Sequence, residues 1–237
     1  MSKLKETNGV VKNRLPELEA KEAAPAKTTV KITPPNTQIA VFKVIGTSPY
    51  VQNKFSEKAK QQMINTQMAG STAKKGAKRP PKDFNQCFQD SQYKPTGETW
   101  RMGAIPATAF RAAMVAACRL VSFKMTDAKQ CIYILEDGYD KDEMIPLIRM
   151  TKGVPTRFDQ AVRNDNGSAD IRARPVWQPG WEAIVRIKFD ADIFTLDDVA
   201  NLLARAGEQV GIGEGRMASR MCVGLGWGAF RIATADV

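Results

Sequence analysis

The sequence predicts an α+β fold built on a βαββαβ core, and three observations predict it. Residues 37–46 carry apolar side chains on both faces, as a central strand does. Two stretches, 106–121 and 195–207, repeat apolar residues at spacings of three and four, the period of a helix with one buried side. Three further stretches, 129–136, 181–190 and 226–233, read as strands.

Residues 1–36 alternate Lys, Glu, Ala and Pro with almost no aromatic content. They bury too little apolar surface to offset ordering entropy and are expected to form a flexible arm. In 37–46, Ile39, Val41 and Lys43 share one face, and Ala40, Phe42 and Val44 the other. Phe55, Ala59, Met63 and Met68 make a weak helical stripe over 55–68, with Ser56 as N-cap, and 70–83 follows as a long basic loop. Pro106 suits the first position of the next helix, whose buried stripe is Phe110, Met114, Ala117, Cys118 and Val121. The strand 129–136 closes on Asp137-Gly138 and is expected to form a hairpin with 144–150. Asn166-Gly167, between 157–163 and 171–176, is a tight-hairpin signal. In 181–190, Ala183, Val185, Ile187 and Phe189 alternate with Glu182, Arg186 and Lys188, so one face is buried and the other charged. Thr195 and Asp198 open the last helix as a capping box, and Gly207 closes it. This order is the ferredoxin-like one, in a single domain over 37–237. Insertions fall at 54–100, which is basic, and at 144–180, which holds a β-hairpin.

Composition narrows the function. The 237 residues are 43% hydrophobic and 25% charged, an ordinary globular balance. No run of eighteen apolar residues and no signal-peptide core occurs, so a cytoplasmic chain with no membrane partner is expected. Four scattered cysteines (Cys87, Cys118, Cys131, Cys222) read as free thiols of a reducing compartment. There is no histidine, which removes the usual general base and the commonest metal ligand. No cofactor and no catalytic residue are expected. The formal charge is +10, and residues 1–100 hold 17 Lys and Arg against 8 Asp and Glu, while the remainder is nearly balanced. That asymmetry points to a polyanionic partner met by the N-terminal part.

Three segments carry candidate contacts. Gly211, Gly213 and Gly215, then Gly224, Gly226 and Gly228, allow backbone amides to approach a ligand closely, and Arg216 and Arg220 between the two groups suit phosphate. The pattern fits neither a Walker loop nor a dinucleotide fingerprint. The stretch 54–82 carries Lys54, Lys58, Lys74, Lys75, Lys78, Arg79 and Lys82 between Phe55 and Phe84, the basic and aromatic mixture of single-strand binders. The hairpin carries Arg157, Arg163, Arg172 and Arg174, with pairing to Asp159, Asp165 and Asp170 as the alternative. Trp177, Trp181 and Trp227 are either base-stacking rings or core edges. Asp137, Asp140, Asp142 and Glu143 crowd one turn, where a hard cation is conceivable, but without the spacing of a calcium loop.

The helix opening at Ile105-Pro106-Ala107, the helix ending in Ala206-Gly207, and the run Val210-Gly211-Ile212-Gly213-Glu214 before a further glycine cluster resemble the repeat-associated mysterious protein superfamily. Its members form backbone and end subunits of CRISPR effector complexes. The chain is also similar to phage proteins that share this tail. The similarity spans 37–233, and its specific part is 206–230. It implies a ferredoxin-like palm, a thumb-like inserted hairpin, and a glycine-rich loop, holding Gly211, Gly213, Arg216, Gly224, Gly226 and Gly228, that contacts the RNA backbone. Without histidine, the RNA-cleaving branch is a poor guide. The expectation is therefore a non-catalytic scaffold on RNA or single-stranded DNA, as stacked copies or in a multisubunit nucleoprotein complex. The rivals are a protein-interaction adaptor, of the kind a phage uses to inhibit a host complex, and a carboxylate-dependent metal nuclease.

Overall fold

The apolar run at the start of the core becomes the backbone of the main sheet. In the computed structural model, which describes residues 32–55, 57–69, 81–97, 99–163, 167–219 and 224–233, strand β1 is Thr37–Gly46. It pairs antiparallel along nearly its whole length with β9 (Glu182–Asp190), and its C-terminal end pairs with β10 (Phe230–Ile232). The far edge of β9 is shared. Its C-terminal half takes β4 (Ile132–Leu135), and its N-terminal end takes β6 (Pro146–Lys152). Strands β3 (Ala104–Pro106) and β5 (Gly138–Tyr139) extend the sheet from β6. A second, three-stranded sheet is ordered β2 (Tyr50–Val51), β8 (Ala169–Trp177), β7 (Thr156–Arg163). The fold is thus mixed α and β with antiparallel sheets, and residues from Pro35 onward form one unit.

Five α-helices occur among the described residues: α1 (Glu57–Ala69), α2 (Phe84–Asp90), α3 (Ala107–Ala117), α4 (Met125–Cys131) and α5 (Leu196–Arg205). Ala40, Val44, Val185 and Ile187 from the sheet meet Phe110, Met114, Val199 and Leu203 from α3 and α5 in the main core. The alternation predicted for 181–190 holds at every position of β9, with Ala183, Val185, Ile187 and Phe189 buried. No described helix is long and apolar enough to cross a membrane. Cys87, Cys118 and Cys131 are free thiols.

Several expectations are corrected. The second apolar face of β1 is uncovered, because α3 and α5 lie on the same side of the sheet; Ile39 and Val41 stay exposed. Residues 129–131 are helical, not extended: α4 buries Ala128, and Arg111 on α3 donates to the carbonyls of Lys129 and Ile132. The expected hairpin between 129–136 and 144–150 does not form. Strand β4 pairs with β9, and the Asp137 amide donates to the Leu147 carbonyl at 2.8 Å, so that β5 takes the place beside β6. Helix α2, unforeseen in the insertion, is capped by Asp83, whose carboxylate accepts from the amides of Asn85 and Gln86. Pro106 stands one position earlier than expected, as N-cap of α3 and last residue of β3. The last helix begins at the predicted capping box but does not stop at Gly207; it runs on as a π-type turn, Ala206–Val210. Gly207 has a different reason to be glycine, since a Cβ there would overlap the Phe230 carbonyl. The final strand is correspondingly short.

The inserted hairpin pairs as predicted, Thr156 to Val176 through Arg163 to Ala169. Asn166, residues 1–31 of the expected arm (1–36) and residues 70–80 of the expected basic loop (70–83) lie outside the described residues. The two sheets are joined through aromatic packing. Tyr50 lies between Trp177 and Trp181, with ring centroids at 5.3 and 5.6 Å, and all three are buried. Each indole satisfies its own N–H: Trp177 donates to the Met102 carbonyl at 2.7 Å and Trp181 to the Ser48 carbonyl at 3.0 Å. These two tryptophans are core. Replacing Tyr50 by alanine is expected to cost about 3–5 kcal/mol, the range for emptying a buried aromatic site, read from the shift of the urea midpoint at unchanged slope.

Candidate functional site

A cleft of about 980 Å³ opens between α3, the hairpin β7–β8 and the glycine-rich segment that follows α5. Three kinds of wall form it. Helix α3 contributes Thr108, Ala109, Ala112, Ala113 and Ala116, which recur at one and four residues and so form a smooth strip of small side chains. The hairpin contributes Gln160, Arg163 and Arg172, and the glycine-rich segment contributes Gly211, Gly213, Arg216 and Trp227. Tyr50, Gln52 and Tyr93 close the base.

The glycines are there first for packing. The two glycine runs lie against each other and against β2: the Ile212 amide donates to the Gly228 carbonyl at 3.0 Å, the Gly228 amide to Pro49 at 2.7 Å, and the Glu214 amide to Val51 at 3.0 Å. A Cβ on Gly211 would stand 2.9 Å from the Trp227 carbonyl oxygen, and one on Gly213 2.5 Å from that of Val51. Gly228 admits none, because it would overlap the Ile212 carbonyl. The amides of Gly211, Ile212, Glu214, Ala218 and Ser219 therefore serve the structure of the loop and its seat, whereas those of Gly213, Gly215, Arg216 and Met217 have no acceptor among the described residues. Gly224 and Gly226 differ: both have positive φ, but a Cβ at either would meet nothing within 4 Å.

Charge at the cleft is organised by one carboxylate. Glu214 accepts from Arg174 at 2.9 Å and lies 3.8 Å from Arg172. Arg174 is largely buried and also reaches Ser91 Oγ at 3.4 Å, so it anchors the loop to the hairpin. Arg216 donates to the Gly213 carbonyl at 3.0 Å. Arg163 is exposed and makes no ion pair among the described residues. Trp227 is half-buried, and Phe158 meets it edge-on at 6.2 Å, which holds its ring at the rim.

The structure gathers Arg163, Arg172, Gly211, Gly213 and Arg216 at this cleft and disperses the other expected contacts. Lys54 is removed from solvent: its ammonium reaches Asp140 at 2.8 and 3.0 Å and Asp142 at 2.6 Å, and it is 4% exposed. Lys82 pairs with Asp170 and with the Ile171 carbonyl. Arg157 forks onto Asp159, reaches Asn85 at 2.6 Å and lies over the Phe84 ring. Asp170 thus meets a lysine where an arginine was expected. Lys58, Lys74, Lys75, Lys78, Arg79 and Arg220 lie outside the residues whose side chains are described.

The acidic turn has a structural occupant. Besides Lys54, Asp140 accepts from the amides of Lys94, Asp142 and Glu143 at 3.0–3.1 Å. Burial pulls the Asp140 pKa up, but Lys54 and these amides outweigh it and hold the carboxyl below its ordinary range. Burial likewise pulls Lys54 down, and the two carboxylates reverse it to a net rise. Among the described residues no group of three or more His, Cys, Asp or Glu is placed to hold a metal ion.

No protein-family model matches the chain, and a search among curated proteins returns no match. The alanine strip of α3 was missed in the sequence because alanine repeats read only as helix propensity; its period with Thr108 was the available signal.

Two outcomes follow for stability. The depressed Asp140 contributes stability that is present above the ordinary carboxylate range and lost as pH falls through its folded pKa; the raised Lys54 contributes below the ordinary lysine range and loses it as pH rises through its own. Lys54→Met, which strands two carboxylates, is expected to cost about 3–5 kcal/mol near neutral pH, and the resulting loss in melting temperature is expected to shrink as pH falls and those carboxylates take up protons. Gly228→Ala, with both positive φ and backbone overlap, is expected to prevent folding to the native state, whereas Gly224→Ala costs only about 1–2 kcal/mol for its backbone conformation. Thermal melts of the two variants check the contrast.

Proposed function

We propose that the chain is a non-catalytic scaffold that grips the backbone of RNA or single-stranded DNA in this cleft, with neighbouring copies arranged along the strand. The observation that carries the reading is that Arg163, Arg172 and Arg216, from two separate parts of the chain, line one cleft with a single carboxylate, Glu214. Guanidinium groups fork onto phosphate oxygens, and the half-exposed Trp227 offers a stacking face for an unpaired base. Glu214 holds Arg172 without cancelling the other two. The cleft also fits a polymer better than a small molecule, since its α3 wall is a smooth strip of four alanines with Thr108 as its one polar side chain, too little to read an outline.

Fold and family stand on related support. The order β10-β1-β9-β4 with α3 and α5 on one side agrees with a ferredoxin-like reading. A glycine-rich loop after the second core helix, facing an inserted hairpin across a groove, agrees with the resemblance to backbone subunits of the repeat-associated mysterious protein superfamily. Absence of histidine and the closure of the acidic turn by Lys54 favour binding over cleavage.

Anisotropy titrations of labelled single-stranded RNA, single-stranded DNA and duplex DNA test it, with strands of about 30 nucleotides to cover several footprints of ~4–16. Binding to a single strand is expected, steeply weakened by salt and indifferent to sequence. The triple variant R163A/R172A/R216A is expected to lower the salt slope by about 2, at ~0.7 per phosphate contact on a single strand. No binding of wild-type protein to any of these polymers at low salt overturns the reading.

A further inference from the structure

The uncovered face of the main sheet is a second interaction surface. Antiparallel sheets with one solvated face ordinarily present polar side chains there. This one does not. Ile39 is 60% exposed, Val41 61%, Ile184 44% and Tyr133 47%, and strand register makes them neighbours: Tyr133, Lys188 and Ile39 form one row across β4, β9 and β1, and Leu135, Arg186 and Val41 the next. Ile184 stands opposite Lys43, and Arg231 opposite Ile45. Apolar and basic groups therefore alternate over four strands. The face carries Lys43, Arg186, Lys188 and Arg231 against Glu182, which Lys43 and Lys152 already pair at 2.8 and 3.4 Å, and Asp190 at the end of β9, which accepts from the Asp192 amide at 3.0 Å. Lys188 and Arg231 are exposed and make no ion pair among the described residues.

We propose that this face docks another protein through a segment that interleaves aliphatic side chains with Asp and Glu. Charge complementarity selects the occupant. A second copy meeting this face with its own would set base against base. A nucleic acid would find β-branched side chains at the centre, which offer no flat ring for stacking. The exposed rings at its edge, Tyr133 and Tyr139, have their hydroxyls 3.3 and 2.7 Å from the Glu136 carboxylate, and Asp137 beside them holds Arg186, so that edge repels phosphate. An acidic, aliphatic protein segment satisfies both halves of the pattern, burying Ile39, Val41 and Ile184 while pairing Lys188 and Arg231. The surface is independent of the cleft. Its strands bury their other sides under α3 and α5, whereas the cleft lies on the α3 side, so a protein here leaves the arginine-lined groove open.

Photo-crosslinking tests the proposal. The full chain with p-benzoylphenylalanine at Val41 is irradiated in cells of its source organism and treated with nuclease; the peptide it links to is identified by mass spectrometry, synthesised and titrated into purified protein. The expected result is a nuclease-resistant adduct to a different protein, at a peptide carrying carboxylates beside aliphatic residues. That peptide should bind more weakly as salt rises and at least about tenfold more weakly to K188E/R231E. The milder K188A/R231A, which removes charge at two exposed positions without reversing it, is expected to lose an intermediate amount, and both variants to melt as wild type does. An adduct to nucleic acid or to a second copy, no adduct, a peptide without carboxylates, or equal binding by wild type and both variants overturns the proposal.

Discussion

The packing of Tyr50 between Trp177 and Trp181 is the contact on which the rest of the structure depends. Its two neighbours come from opposite ends of the Trp177 to Trp181 connection, where the small sheet gives way to the main one. By filling the space between them, Tyr50 sets the second sheet against the first. The same two-residue strand then positions the glycine-rich loop, because the Val51 carbonyl receives the Glu214 amide and the Tyr50 ring leaves room only for glycine at 213. Core packing and cleft geometry are thus one constraint. Three large aromatics excluded from water give it stiffness, since interiors packed at crystal-like density do not deform gradually.

Charge follows a similar division of labour. Two carboxylates, Asp140 and Glu214, each settle a part of the insertions onto the core. Asp140 takes a lysine from 86 positions away and three local amides, locking the entry of the first insertion. Glu214 takes Arg174 and so binds the hairpin to the loop. Arginine suits the second role, because its planar fork bonds Glu214 and Ser91 at once while its stem stays packed. Basic residues on a chain of net charge +10 are therefore of two kinds. Lys54, Lys82, Arg157 and Arg174 hold the fold together, and Arg163, Arg216, Lys188 and Arg231 face solvent.

Local chemistry made much of the architecture legible. The period-two pattern of 182–190, the hairpin arms around Gly167, and the capping box at Thr195 and Asp198 each report on atoms within a few residues, and each appears where it was read. The misreadings share a cause. Residues 129–131 looked like the start of a strand, but they close a helix whose end Arg111 caps at the carbonyls of Lys129 and Ile132, 18 and 21 positions later. Gly207 looked like a helix terminator, but its lack of a side chain answers to Phe230, 23 residues later in the chain. At the site, the arginines of the hairpin and the glycine-rich loop were both visible. That they share one cleft with the alanine strip of α3 was not.

What the sequence by itself determined was the six core elements and their order, the absence of histidine and the surplus of positive charge. These rest on residue type and short-range spacing, which the chain carries in any conformation. Tertiary structure alone decided which charges are available to a partner and which sheet face is left bare. A lysine's solvation depends on what is folded around it: Lys54 and Lys188 are alike in sequence, yet one lies buried between two aspartates and the other stands in the open beside Tyr133. Likewise, Ile39 and Val41 have the composition of a core strand, but the helices that would cover them pack on the opposite side, because α3 and α5 share one side of the sheet.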